Sequence, residues 1–386
     1  MTAIWIRLSS HNHMTIQSLA TAMRSPRIHA FLAYFEYGNG MRLISLLKTA
    51  GVAAALAHMA LSTASASTAG ATVDAIKKRG ELVCGVSQGS AGLSIADKQG
   101  RWTGLDADLC RALAAAVLGD PEKTRFVPLS SQQRFPALQG GEIDVLNRNT
   151  TITSSRDAGL GIVSAGIVFY DGQGFLVPKK LGVKSATELD GAQVCVQPGT
   201  VNEQNLVDYF KKQKLTYRPV VIENLVELEQ AFYAGRCDVY LSDASTLAAS
   251  RAARAANPDD FVILPERINK SPLGPFVRQD DPNWTAIVRW TVNALVAAEE
   301  LGITSRNVDS QAQSTDAQVR RLLGLDPGIG KSFGLDEGWA RNVIKAVGNY
   351  GEVWDRNLGA ATPLKLERGL NAQWNRGGLL YSPPFQ

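Results

Sequence analysis

Two stretches of this chain repeat one grammar, and that repetition limits the fold more than any other feature. From Arg79 onward, short apolar runs alternate with amphipathic helical patterns, the mark of parallel α/β layers. In the first stretch, residues 82–86, 126–129 and 143–146 read as strands. A helix opens at Leu105, with Leu109, Leu113 and Val117 following at spacings of four on one face. A second helix covers 134–140. After an extended, glycine-containing crossing at 169–177 the pattern restarts. Residues 193–197, 218–222 and 237–241 read as strands, with helices over 203–214 and from Asn224 to Gly235. Asn224 and Glu227 have the spacing of a capping box, and Gly235 is a stop. Each stretch is strand–helix–strand–helix–strand. A return strand at 274–278, a long helix over 284–301 and helical patterns at 317–325 and 339–347 follow. The aromatics of the tail (Trp354, Trp374, Tyr381, Phe385) are read as packing.

The N-terminus belongs to targeting rather than to the fold. Met41–Lys48 gives a basic start, residues 50–61 an apolar run broken only by His58, and Ala64-Ser65-Ala66 a cleavage site. Residues 41–66 therefore read as a secretory signal peptide, too short in its apolar part to span a bilayer. Residues 1–40 read as a mis-assigned start. The first 66 residues hold five basic side chains (Arg7, Arg24, Arg27, Arg42, Lys48) and one acid (Glu36). The chain's 40 basic and 36 acidic residues thus become balanced after cleavage, and no nucleic-acid footprint remains. All four histidines, His11, His13, His29 and His58, leave with the signal. That excludes an imidazole base and a His-ligated metal in the mature chain; no cofactor and no metal are expected. Four cysteines remain, Cys84, Cys110, Cys195 and Cys237, none in a C-x-x-C pair. Export favours disulfides among them, with three connectivities open on count alone.

Chemistry concentrates where strands emerge from their sheets, the place ligands bind in open α/β folds. After the strand at 143–146 come Asn149, Thr150, Thr151, Thr153 and Arg156. A guanidinium there can grip a carboxylate through two parallel hydrogen bonds; the plainer alternative pairs Arg156 with Asp157 or has it cap a neighbouring helix. In the second stretch, Pro198-Gly199-Thr200 joins a strand to a helix and offers backbone amides to an anion. Ser242-Asp243 ends a strand with a carboxylate suited to an ammonium, or to capping the next helix. Together these groups are the inventory for a zwitterionic α-amino acid. Gly328-Ile329-Gly330-Lys331-Ser332 resembles the end of a phosphate loop. Leu325 stands where that loop needs its first glycine, and no buried strand precedes it. Gly85, Gly89 and Gly92 are spaced wrongly for a dinucleotide fingerprint.

From about Thr72 to the C-terminus the chain resembles the periplasmic substrate-binding proteins of polar amino-acid ABC importers (solute-binding protein family 3), in particular the general L-amino-acid-binding branch with a long C-terminal extension. The likeness rests on Trp102–Leu109, Arg134-Phe135-Pro136-Ala137-Leu138, Tyr170-Asp171-Gly172-Gln173-Gly174-Phe175, Gly235–Tyr240, Pro272-Leu273-Gly274-Pro275 and Val347–Val353. It implies an α/β fold of the type II periplasmic-binding-protein kind: two α/β lobes joined by two crossing strands, with a C-terminal helical extension. Lobe 1 would take 72–172 and 273–386, lobe 2 175–270. The family arginine for the α-carboxylate matches Arg156, its hydroxyl partner Thr151, and the preceding main-chain position Asn149. The ammonium-binding acid matches Asp243, and the glycine–hydroxyl turn matches Gly199-Thr200. Val201 departs from the threonine of many relatives. Ser90, Ser130 and Ser131 stand where selective relatives place aromatics, which implies a roomier, wetter pocket and broad specificity.

The same likeness implies disulfides Cys84–Cys110 and Cys195–Cys237, each within one lobe, because cross-lobe bonds would restrict opening. The expected protein is a monomeric, non-enzymatic periplasmic carrier that captures L-amino acids and delivers them to the membrane subunits of an ABC permease. An exported dehydratase or lyase on the same scaffold would need an acid–base group beyond Asp243. A receptor's sensor lobe would need a membrane span after residue 66.

Overall fold

A computed structural model describes residues 70–386; the start-site and signal-peptide expectations for 1–66 lie outside the described residues. Helix α1 (Ala71–Arg79) leads into β1 (Leu82–Val86), fully buried. A small hairpin, β2 (Ile95–Ala96) and β3 (Trp102–Thr103), precedes α2 (Leu105–Leu118). Then come β4 (Thr124–Pro128), α3 (Arg134–Gln139), β5 (Val145–Leu146), α4 (Ser154–Gly159) and β6 (Ile162–Ser164). The chain leaves along β7 (Phe169–Asp171) into β8 (Gln173–Pro178). The second sheet adds β9 (Ala192–Val196), α5 (Val201–Gln213), β10 (Tyr217–Val221), α6 (Leu225–Tyr233), β11 (Val239–Asp243), α7 (Ala244–Arg254) and β12 (Phe261–Ile263). It returns along β13 (Ser271–Leu273) to β14 (Phe276–Arg278) and α8 (Pro282–Glu300).

The first sheet runs β4-β1-β5-β14-β6 and the second β10-β9-β11-β8-β12. In both, the first strand of the unit lies between its second and third in parallel register, and the remaining strands pair antiparallel. The crossing strands β7 and β13 pair with each other, Asp171 opposite Ser271. The α/β fold with two lobes and two crossing strands is therefore as the sequence implies.

The lobes share a local device. At Gly141 (φ +74°) and Gly235 (φ +78°) the chain turns three residues ahead of an aspartate in each lobe. The Asp144 carboxylate accepts from the Val83 amide at 2.8 Å, and the Asp238 carboxylate accepts from the Gln193 amide at 2.8 Å. The same aspartates donate their own amides to the Val83 and Gln193 carbonyls. Side chains thus hold the entry to β5 and β11, so both strands begin later than the apolar pattern suggests, at Val145 and Val239. Cys237 consequently lies just ahead of β11 rather than on it. It still bonds Cys195 on β9, and Cys84 on β1 bonds Cys110 on α2. At the start of α6 the Asn224 side chain accepts from the Val226 and Glu227 amides. The reciprocal capping box lies instead at Asn349–Glu352.

The C-terminal region contributes α9 (Ala317–Leu322), α10 (Ile329–Phe333), α11 (Trp339–Val347) and α12 (Tyr350–Asn357). Trp339, Val343, Ile344 and Val347 of α11 join Leu109 and Leu113 of α2 in one apolar core, so the extension packs against the first sheet's helix α2. It also reaches the crossing. The Asn371 side chain accepts from the Tyr170 amide at 2.7 Å and donates to the Tyr170 carbonyl at 3.0 Å. Tyr350 donates its hydroxyl to the Val168 carbonyl at 2.7 Å. The amides of Gly328, Gly330 and Lys331 at the phosphate-loop look-alike donate to the Glu337 carboxylate. That anion position is filled by the chain itself.

Candidate functional site

The cleft lies between the carboxyl ends of the two sheets. Its lobe 1 wall carries Ser87, Arg134, Arg148, Asn149, Thr151 and Arg156. Its lobe 2 wall carries Gln197, Thr200, Val201, Asn202, Leu225, Ser242, Asp243 and Thr246. Here the lobes are closed on one another, and the space between these walls is about 20 Å³, room for little more than one water. Ser131 donates its hydroxyl to the Pro198 carbonyl at 2.8 Å, and Ser130 donates to the Glu223 carboxylate. Arg134 donates to the Gly199 carbonyl at 3.3 Å, and Asn149 donates its side-chain amide to the Thr246 hydroxyl at 3.4 Å.

Local structure explains how the lobe 1 groups are presented. Asn149 adopts φ +33°, which asparagine tolerates better than most residues, and its amide donates to the Asp106 carboxylate at 3.1 Å. Thr151 bridges to Leu273 beside the crossing. Thr153 caps α4, which sets Arg156 in its first turn. Arg156 does not pair with Asp157, whose carboxylate is bonded to Ser164. Its guanidinium instead donates to the Thr151 carbonyl at 2.6 Å and lies 5.0 Å from the centre of the Phe135 ring. Arg134 lies 4.7 Å from the same ring, so one aromatic carries two guanidinium groups.

Arg134 and Arg148 were not foreseen as cleft residues. Both are buried, as is Arg156, although Arg134 opens the family motif Arg134-Phe135-Pro136-Ala137-Leu138 and Arg148 stands one residue before Asn149. Burial lowers Arg148 and Arg156 to about 10. Arg134 is also lowered, first by burial and then by the charges of Arg148 and Arg156. Each is still a cation at neutral pH. Three like charges in a low-dielectric pocket repel one another strongly, and an anion between them relieves that repulsion.

Opposite them, Asp243 is 4% exposed and its Oδ1 has no hydrogen-bond partner. Burial, then the neighbouring charge of Asp171, raises it to about 7. It occupies the N-cap position of α7 without capping through its side chain. Thr200 caps α5, accepting from the Glu203 amide and donating to the Gln197 carbonyl. The Gly199 amide donates to the Glu203 carboxylate at 3.1 Å, so it is already engaged in this closed arrangement. Val201 keeps its place on the wall. Ser130 and Ser131 serve lobe-to-lobe contacts here. Ser90 is buried beside Ser94 and Ser87, and Ser87 is the first-strand loop residue that reaches the cleft wall. Among the described residues no cluster of His, Cys, Asp and Glu is arranged to hold a metal, and no helix is long and apolar enough to cross a membrane.

Two α/β lobes hinged over a cleft that offers charges of both signs define a bilobal solute-binding protein. The chain belongs to the bacterial extracellular solute-binding proteins, family 3, whose pattern it matches over residues 82–306. It is 51% identical to the general L-amino acid-binding periplasmic protein AapJ of Rhizobium johnstonii, over 88% of this chain and 99% of that one. It is 53% identical to the glutamate/glutamine/aspartate/asparagine-binding protein BztA of Rhodobacter capsulatus, over 86% and 97%. Among solved structures it is similar to a periplasmic binding protein from Brucella ovis with glutathione bound. There the TM-score is 0.80 and the identity 51%, over 82% of this chain and 99% of that one.

Proposed function

We propose that this protein is a periplasmic carrier that closes on an L-amino acid and presents it to an ABC permease. The observation that carries the reading is the unpartnered, buried oxygen of Asp243 facing a cleft walled by three buried arginines. Arg156 holds the α-carboxylate, with Thr151 and the Asn149 main chain beside it, and Asp243 holds the α-ammonium. The Gly199-Thr200 turn closes the carboxylate end from lobe 2. One α-carboxylate needs one guanidinium, so Arg134 and Arg148 leave positive charge for oxygens on the side chain. Acidic and amide side chains therefore bind best within a broad range. This agrees with the names of the relatives, and glutathione itself carries a free α-amino-acid head on its glutamyl part. The relatives' names as amino-acid-binding proteins support a carrier rather than a lyase.

Calorimetric titration of residues 67–386, refolded to strip ligand carried through purification, tests the reading. The panel is L-glutamate, L-glutamine, L-aspartate, L-asparagine, L-leucine, L-lysine and glutathione. Micromolar or tighter binding of the first four, with each recovered unaltered, is expected. Absence of binding by every α-amino acid would refute it.

A further inference from the structure

The first turn of α7 is capped from outside its own N-cap. Asp243 stands at that position, yet the Ser245 amide donates to Asp171 on the crossing strand at 3.2 Å. The Ala244 amide donates to the Gly172 carbonyl at 2.9 Å. The other Asp171 oxygen accepts from the Gly172 amide at 2.7 Å. An aspartate at an N-cap ordinarily turns back onto the amides of its own helix. Here the Ala244 and Ser245 amides are already engaged by the crossing strand, Asp243 makes no side-chain cap bond, and its buried carboxylate keeps one oxygen unpartnered on the cleft wall.

We propose that Asp171 is a positioning residue of the ammonium subsite: by capping α7 in place of Asp243, it releases Asp243 toward the ligand and ties that carboxylate to the crossing between the lobes. The proposal rests on the amino-acid reading above. It adds a residue that acts through Asp243 rather than by touching the ligand.

The charge environment follows from the same geometry. Asp171 lies close enough for its charge to act on Asp243, and burial raises both. Facing the pair are Arg134 and Arg156 from lobe 1, Arg148 beyond them, Arg267 from the loop before β13, and the Tyr240 hydroxyl from β11. A raised carboxylate holds its proton to higher pH. In the closed cleft that proton competes with the ligand's ammonium. Affinity for a ligand bearing an ammonium is therefore full above about pH 7 and falls as the pH drops through Asp243's raised value of about 7. A ligand without the ammonium lacks this loss.

The test uses Asp171→Ala and Asp171→Asn in the mature chain, titrated with L-glutamate and with glutarate, which has the same two carboxylates and no ammonium. For Asp171→Ala, L-glutamate affinity should drop about 10- to 100-fold, the worth of one charge-assisted hydrogen bond, and glutarate affinity much less. Asp171→Asn keeps an acceptor for the Ser245 amide and should recover most of the loss at pH 7.5. It also removes the like charge, so the acid limb of its L-glutamate profile should move to lower pH. Equal losses for both ligands in Asp171→Ala, or an acid limb unmoved in Asp171→Asn, would overturn the proposal. If Asp171→Ala does not fold, the pH profile of Asp171→Asn decides alone. A wild-type chain that binds no α-amino acid refutes the amino-acid reading instead, and that outcome is separate from either variant result.

Discussion

Replacing Arg156 with alanine tests which end of the ligand lobe 1 holds. A guanidinium has five N–H donors. One of them is given to the Thr151 carbonyl at 2.6 Å, which leaves enough for a two-pronged grip on a carboxylate. Two charge-assisted bonds are worth about 3–6 kcal/mol, so affinity should fall about 10²- to 10⁴-fold. The loss should be similar for glutamate, glutamine and a neutral amino acid such as leucine, because each presents the same α-carboxylate. Stability should not follow affinity down. Arg134 and Arg148 both feel Arg156 as a like charge, and removing it relieves that repulsion as well as the cost of one buried cation. The thermal midpoint of the ligand-free variant is therefore expected at or above that of the parent. Calorimetry across the panel, with a melting curve for each protein, is the assay. A loss confined to acidic ligands would show that Arg156 reads the side chain. A loss below tenfold for every ligand would show that it grips nothing.

Four further outcomes can be measured in parallel. Asp243→Asn should weaken L-glutamate at least tenfold while sparing glutarate, since a neutral amide no longer attracts an ammonium; equal losses for the two would reduce Asp243 to a scaffold residue. Ligand should lower the radius of gyration in solution scattering, because a cleft of about 20 Å³ admits an amino acid only after the lobes part; an unchanged radius with binding intact would count against closure. Cys195→Ser with Cys237→Ser opens a link spanning 42 residues, for which chain entropy gives about 4 kcal/mol of stability. Peptide mapping without reduction should recover the Cys84–Cys110 and Cys195–Cys237 pairs, and a cross-lobe peptide would contradict the connectivity.

The sequence carries the scaffold more fully than it carries the pocket. Leu105, Leu109 and Leu113 announce α2 because one face of a helix repeats every three to four residues. The strands around Cys84 and Cys195 announce themselves because central strands are apolar throughout. Asp144 and Asp238 are harder to read, since nothing local shows that a carboxylate will take a strand's amide and delay the next strand. Arg134 and Arg148 are harder still. Arginine is seldom fully buried, so an arginine at a helix start or beside a polar loop reads as solvated until the lobes are brought together. Asp171 sat in plain view within Tyr170-Asp171-Gly172-Gln173-Gly174-Phe175. Its role depends on a helix start 74 residues away, a relation no spacing rule contains. The hydroxyls of Ser130 and Ser131 were legible as polar, but their partners on lobe 2 were not.

The grip of Asn371 on both polar groups of Tyr170 makes the two lobes mechanically unequal. The extension, sharing its core with lobe 1 and fastened to β7, turns that lobe into a stator. Lobe 2, held to it through the short links between β7 and β8 and between β12 and β13, is the rotor. Any bend at the crossing is then confined to the few residues after Tyr170 and those ahead of Ser271. A membrane partner that rested on lobe 1 and its extension would register closure as the displacement of one smaller body against a fixed frame.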